Sequence, residues 1–179
     1  MRTVPLHGKK AAGRVALVDD ADYELVMRYR WFVWERTMVG GTKQGPYATA
    51  NLPGAHTGTV RMHRLLIPEG SRVDHRDGDG LNNQRSNLRP ASKGQNMANS
   101  RKSNATGGGA PSSRFKGVTW DKDRHLWRAE ITARGIGRNL GRFVREELAA
   151  RAYDAAAREF FGEFARLNFP DDLPVTGDT

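Results

Sequence analysis

Residues 61–99 read RMHRLLIPEGSRVDHRDGDGLNNQRSNLRPASKGQNMAN, and the parsing of this stretch decides the fold. Val73-Asp74-His75 is predicted to close a short strand. The run Asp77-Gly78-Asp79-Gly80 is turn chemistry, because glycine takes positive φ without strain. Residues 86–89 read as the return strand, stopped by Pro90. Ser92 is a candidate N-cap for a helix running to about residue 99. The expected unit is a β-hairpin followed by a helix, with His75 on the hairpin and Asn96 on the helix facing it. Asn87 falls in the hairpin, where its amide can both donate and accept and so tie the loop to the strand that carries the histidine.

These residue types suit the cutting of a phosphodiester, which needs a base for water, a cation against the charge growing on the phosphate, and a frame holding both in line. Imidazole, with an ordinary pKa of about 6.5, is largely neutral near pH 7 and can take a proton. A carboxylate is a hard oxygen donor of the kind Mg²⁺ prefers, and an amide oxygen adds a second donor without charge. Asp74 and Asn96 fit the ligand roles, and His75 fits the base. The glycine-rich turn lacks the later acidic residue of a calcium-binding loop, so it is read as a plain turn. His63 lies in a second predicted strand, 60–66, where it either points toward the site or the DNA or packs as a structural histidine.

Asp74-His75, Asn87-Leu88-Arg89 and Gln95-Asn96 resemble the His-Asn-His (HNH) endonucleases, specifically the phage and intron-encoded homing type with the ββα-metal fold. The resemblance implies His75 as general base and Asn87 as the residue that holds the loop. It implies Asp74 and Asn96 as ligands of one divalent cation, Mg²⁺ or another such as Mn²⁺. Asn96 stands where the family name has its last histidine, so the form here is His-Asn-Asn.

Composition agrees with a nucleic-acid partner. Among 179 residues, 29 Lys and Arg against 20 Asp and Glu leave a net charge of +9, the electrostatic footprint of a polyanion binder. The excess is positive in every stretch up to residue 170, and only the tail, 171–179, is acidic. There is no cysteine, which excludes disulfides and cysteine-based zinc knuckles and fits a reducing cytoplasm. No apolar run approaches the roughly 18 residues a membrane span needs, and the N-terminus has no apolar signal-peptide core. A soluble, cytoplasmic protein is therefore expected, with no membrane association and no obligate protein partner, and the HNH resemblance implies that it is phage-encoded and acts in a bacterial host.

The expected class is α+β, in several parts. Residues 1–60 form a β-rich N-terminal lobe with a strand at 14–18, a helix from Asp19-Asp20 to about 29 and a buried apolar strand at Trp31-Phe32-Val33-Trp34. A loop at Gly40-Gly41 and a strand at 47–51 complete it. This lobe resembles the one in front of phage HNH cores, which helps grip the duplex. The nuclease core spans 61–100. Residues 101–113 are small, polar and glycine-rich and read as a linker, with Arg101 and Lys102 expected on the phosphate backbone.

Residues 114–170 form the next unit. A strand is predicted at 115–120. Residues 127–134 alternate, with Trp127, Ala129, Ile131 and Ala133 on an apolar face. Residues 135–137 turn the chain into a third strand, 138–143, with a candidate bulge at Gly141. A helix follows over 145–161, ended by Gly162. Its apolar stripe is Leu148, Ala149, Ala152, Tyr153, Ala156, Ala157 and Phe160. The expected product is a small three-stranded antiparallel sheet packed on one helix, its other face open to solvent or to a groove about 12 Å wide.

Lys116-Gly117-Val118, Arg128-Ala129-Glu130-Ile131, Leu140-Gly141-Arg142-Phe143 and Ala149-Ala150-Arg151-Ala152-Tyr153-Asp154 resemble, in order, the plant ethylene-response-factor (AP-two) DNA-binding domain. The resemblance implies DNA contacts from Lys116, Arg128, Glu130, Thr132 and Arg134, and from Asn139 and Arg142. Thr119 and Thr132 stand where the plant domains carry Arg, and Asn139 where they carry Trp, so the plant target site does not transfer. The two resemblances together imply a site-specific endonuclease acting on double-stranded DNA. The rival expectations are a DNA-binding transcription regulator with an inactive nuclease core and, third, an RNA binder.

Overall fold

The computed structural model describes residues 1–37, 43–52, 58–67, 72–102 and 111–172. The Gly40-Gly41 loop, residues 103–110 of the expected linker and residues 173–179 of the acidic tail lie outside them. The chain divides into two compact units, 1–92 and 93–179. Both mix strand and helix, as the α+β class requires.

In the first unit β1 (Arg2–Pro5) pairs antiparallel with β2 (Val15–Val18), burying Val4, Ala16 and Val18. Helix α1 (Asp20–Val26) follows, with Asp20 and Asp22 in the first turn where the helix dipole favours carboxylates. It stops short of residue 29, and its last carbonyl, that of Val26, accepts from the Tyr29 N–H at 3.1 Å and from the Trp31 indole N–H at 2.7 Å. Strands β3 (Phe32–Thr37), β4 (Lys43–Asn51) and β5 (Thr59–Arg61) form an antiparallel sheet in that order. The apolar run 31–34 is not buried throughout. Trp31 and Val33 are buried, whereas Phe32 is exposed and Trp34 half-buried, since successive strand side chains leave opposite faces.

A second difference concerns 60–66, expected as one strand. The strand ends at Arg61, and α2 (Met62–Leu66) follows. Met62 and Leu66 are both buried and lie four residues apart, a spacing that one helical turn brings to one face and a strand also repeats; the helix additionally carries His63 inward. Strands β6 (Arg72–His75) and β7 (Leu88–Ala91) form the hairpin, with Asp74 opposite Arg89 and His75 opposite Leu88. Pro90 does not stop β7. In a two-stranded ribbon each strand has an open edge, where a residue without an N–H is tolerated.

One apolar cluster joins these elements, with Val4, Val18, Val26, Trp31, Met62 and Leu88 among its members. Each large side chain so buried contributes about 1.5–3 kcal/mol by leaving water. The hairpin and the N-terminal strands therefore share one core.

The second unit opens with α3 (Lys93–Asn99), which packs on the later helix α4 (Glu146–Phe161) and on the 3-10 turn at Gly162–Phe164. Strands β8 (Val118–Asp121), β9 (Leu126–Ala133) and β10 (Ile136–Phe143) form an antiparallel sheet in the order β10-β9-β8, packed on α4. Strand β8 begins at Val118 rather than at 115 because Gly117, at φ +75°, breaks the extended backbone. A Cβ there would overlap the Tyr153 ring and come within 2.7 Å of the Glu130 carbonyl, so the close approach of α4 to the sheet requires glycine. Ala129, Ile131 and Ala133 face the helix, and Glu130 and Thr132 are exposed. Leu148 is exposed and Ala150 buried, a small rotation of the expected stripe. The ladder shifts register between Asn139 and Gly141, a bulge. Among the described residues no helix is long and apolar enough to cross a membrane.

Candidate active site

The hairpin places Asp74 and His75 side by side at the end of β6, both buried. Across the ladder Arg89 brings its Nε to 2.9 Å and an Nη to 2.8 Å of Asp74 Oδ2, and both side chains of this pair are buried. Such a pair fixes the carboxylate in orientation.

The loop from Arg76 to Asn87 is held by its own polar side chains. Asn87 Oδ1 accepts from the Asp77 N–H at 3.1 Å, and its Nδ2 donates to Asp77 Oδ1 at 3.0 Å and to the Asn82 carbonyl at 2.8 Å. Asp77 also accepts from the Asp79 N–H and the Asn82 amide, both at 2.8 Å. Burial pushes the Asp77 carboxyl up, but the hydrogen bonds from Asp79, Asn82 and Asn87 outweigh it and leave the carboxyl below its ordinary value. These oxygens are occupied in shaping the turn.

Contacts with the N-terminal elements fasten the loop further. Leu17 N–H donates to Leu81 O at 2.9 Å, and Asn83 N–H to Leu17 O at 2.8 Å. Arg85 grips Asp22 with two bonds of 2.8 Å. Gly80 lies so close to the Pro46 carbonyl and the Tyr47 ring that a Cβ would strike both.

Three rings meet beside the loop. The His75 ring centroid is 5.0 Å from that of His63, edge-on, and 6.0 Å from that of Tyr47; His63 and Tyr47 are 5.6 Å apart. The Arg61 guanidinium lies 4.7 Å from the Tyr47 ring centroid and 5.1 Å from that of Trp34. Burial, helped by the charges of His75, Arg61 and Arg64, drives His63 down to about 3. Burial also lowers His75, against the opposing pull of the Asn83 side chain and of Asp77, Asp74 and Asp79. Both shifts favour the neutral imidazole, the form that can accept a proton. Sequence reasoning left His63 open and missed Tyr47 and Arg61, which reach the site from β4 and β5.

Asn96 lies half-buried on α3, in the second unit. Among the described residues no group of three or more His, Cys, Asp or Glu side chains is placed to hold a metal ion.

In the second unit the polar positions of β9 reach solvent. Arg128 pairs with Glu130 at 3.0 Å, both partly exposed, and Thr132 and Arg134 are exposed beside them. Asn139 is exposed and caps the bulge, its Oδ1 accepting from the Gly141 N–H at 2.9 Å. Arg142 turns to Asp121, with Nε at 2.8 Å from Oδ2. Lys116 Nζ donates to the carbonyls of Met97, Ala98 and Ser100. Burial and the Arg166 charge bring Lys116 down to about 8, so it still carries its proton at pH 7. Lys102 Nζ donates to Phe115 O at 2.7 Å and Val118 O at 2.9 Å, whereas Arg101 is exposed.

Residues 55–98, which include the whole hairpin, match the model of the HNH endonuclease family. Over 167 residues the chain is 30% identical to Uncharacterized HNH endonuclease L560 of Acanthamoeba polyphaga mimivirus, covering 89% of this chain and 77% of that one. This chain belongs to the HNH endonuclease family. It is also 38% identical over 103 residues to Protein 3.8 of Escherichia phage T7, covering 56% of this chain and 78% of the relative. A further similarity, 44% identity over 85 residues, is to Dehydration-responsive element-binding protein 2D of Arabidopsis thaliana, covering 43% of this chain and 39% of the relative. No solved structure gives a significant match.

Proposed function

We propose that this nuclease is a site-specific DNA endonuclease of the homing type, with His75 as general base and one divalent cation held by Asp74 and Asn96. The observation that carries this reading is the buried His75 beside an Asp74 fixed by Arg89, on a loop that Asn87 knots together. His75 takes the proton of the attacking water. His63 and Tyr47 hold its ring, and Asn87 holds the loop that follows it.

The donor chemistry fits a small hard cation, Mg²⁺ or Mn²⁺. Asp74 supplies an oriented anionic oxygen and Asn96 a neutral one, and such ions complete their shells with water and substrate phosphate rather than with an all-protein cage. When bound, the cation supplies charge neutralisation at the phosphate and the leaving oxygen.

The second unit, read as an AP-two-type domain, chooses the site through Arg128, Glu130, Thr132, Arg134 and Asn139 on the open sheet face. The similarity to a plant protein named for binding a responsive element supports this reading. The similarity to a phage protein supports a phage-encoded enzyme acting in the cytoplasm of its bacterial host.

Incubation with plasmid or phage DNA tests the proposal. Mg²⁺ should permit conversion of the supercoiled form to nicked or linear product, and EDTA should stop it. DNA left whole under both conditions would instead identify a DNA-binding regulator with an inactive nuclease core.

A further inference from the structure

Five cationic side chains of the second unit meet around one small pocket. Arg101, Lys102, Arg114, Lys116 and Arg166 line it together with Leu167 and Asn168, around a volume of about 100 Å³. They come from three separated segments: the stretch after α3, the approach to β8 and the strand-like run after the 3-10 turn. None of the lining residues is acidic.

The pocket is built rather than merely crowded. Lys102 and Lys116 are anchored on five backbone carbonyls. Asn168 is anchored too, accepting from the Lys116 N–H at 2.7 Å and donating to the Lys116 carbonyl at 3.1 Å. Asp154, the carboxylate behind this wall, is buried and engaged by the N–H groups of Asn168 and Phe169 and by the Asn168 amide. Glu146 acts on Lys102 electrostatically but does not line the pocket. Arg101 and Arg114 stand exposed at the site, Arg114 stacked on Phe115 with 4.9 Å to the ring centroid.

Like charges collected in one place oppose folding through mutual repulsion, and an anion that joins them relieves it. A phosphate group is small enough for the space, and guanidinium groups match its oxygens two at a time. We propose that this pocket holds one phosphate of the DNA backbone, apart from the open face of the β8–β10 sheet. The inference rests on the DNA-binding reading given above and adds to it a contact that sets register without reading sequence.

The test uses the full chain in EDTA, so that DNA stays intact. Affinity for two duplexes of unrelated sequence is measured across roughly 50–200 mM salt. Arg101→Gln/Arg114→Gln is compared with wild type and with the charge-matched control Arg145→Gln/Arg158→Gln, at the N-cap and in the last turn of α4. Losing one phosphate contact should reduce the slope of log affinity against log salt by about 0.9, equally for both duplexes. The control should keep the wild-type slope. An unchanged slope in the pocket variant, or an equal fall in the control, overturns the proposal. Should the double variant not fold, Arg101→Gln alone carries the same comparison.

Inorganic phosphate separates the remaining source. If it raises the thermal midpoint of wild type but not of the variant while the slope stays unchanged, the pocket serves free phosphate and the DNA assignment is wrong. Plasmid cutting is scored separately. A lost slope effect with cutting intact removes the pocket alone, and absent cutting with the slope effect intact removes the nuclease reading alone.

Discussion

Replacing His75 with alanine should lower the rate of DNA cleavage by about 10²- to 10⁴-fold, the range a positioned general base supplies, while leaving DNA affinity close to wild type. Affinity is spared because His75 is buried among rings and loop atoms, whereas the basic groups proposed to meet phosphates lie elsewhere. The loss falls on chemistry because burial lowers the pKa of this imidazole and so favours the form that can accept a proton. Plasmid nicking in Mg²⁺ and gel mobility shift in EDTA read the two quantities apart. A variant that cuts at the wild-type rate removes His75 from the mechanism.

Arg89→Ala should destabilise the first unit by about 3–5 kcal/mol, because it leaves a buried carboxylate without its principal cation. Asp74 and Arg89 meet through two bonds to one oxygen, and neither side chain has much access to water. Water cannot easily replace the lost partner. Exchanging both residues together, as Asp74→Leu/Arg89→Leu, should restore much of the stability, since two apolar side chains carry no desolvation cost there. That double variant should nevertheless be inactive, because the anionic oxygen is gone. Chemical denaturation followed by Trp fluorescence measures both. A loss under about 1 kcal/mol for Arg89→Ala, the size of an exposed pair, would show that the pair is not buried in solution.

The parts of this fold legible in the sequence are those whose signal is local. Alternation along 127–134 set the two faces of β9, and the alanine-rich stripe with Gly162 set α4 and its end. The hairpin around Asp74 and His75 was legible because its turn chemistry, Asp-Gly-Asp-Gly, lies between the strands it joins.

What escaped depended on partners far along the chain. Residues 60–66 carry an apolar pattern that both a strand and a short helix satisfy, and only the packing of Met62 and Leu66 in the shared core selects the helix. The Trp31 indole that donates to the last carbonyl of α1 lies beyond that helix. Pro90 is tolerated because the ribbon has two strands, which is a property of the sheet and not of the residue. The site divides in the same way. Asp74, His75 and Asn87 lie in one hairpin, so their nearness was legible in their spacing. Tyr47 reaches the same histidines from β4, and Arg61 of the neighbouring β5 stacks on Tyr47, with no motif to mark either.

The proposed mechanism depends on Asp74 and Asn96 both serving as ligands of one cation. Electron paramagnetic resonance of Mn²⁺, titrated into the protein bound to an uncut duplex, tests it most directly. Wild type should hold one Mn²⁺ per chain, and Asn96→Ala should bind it at least about tenfold more weakly, the lower end of what loss of a supporting group costs at metal sites. Equal Mn²⁺ affinity in wild type and Asn96→Ala would contradict it.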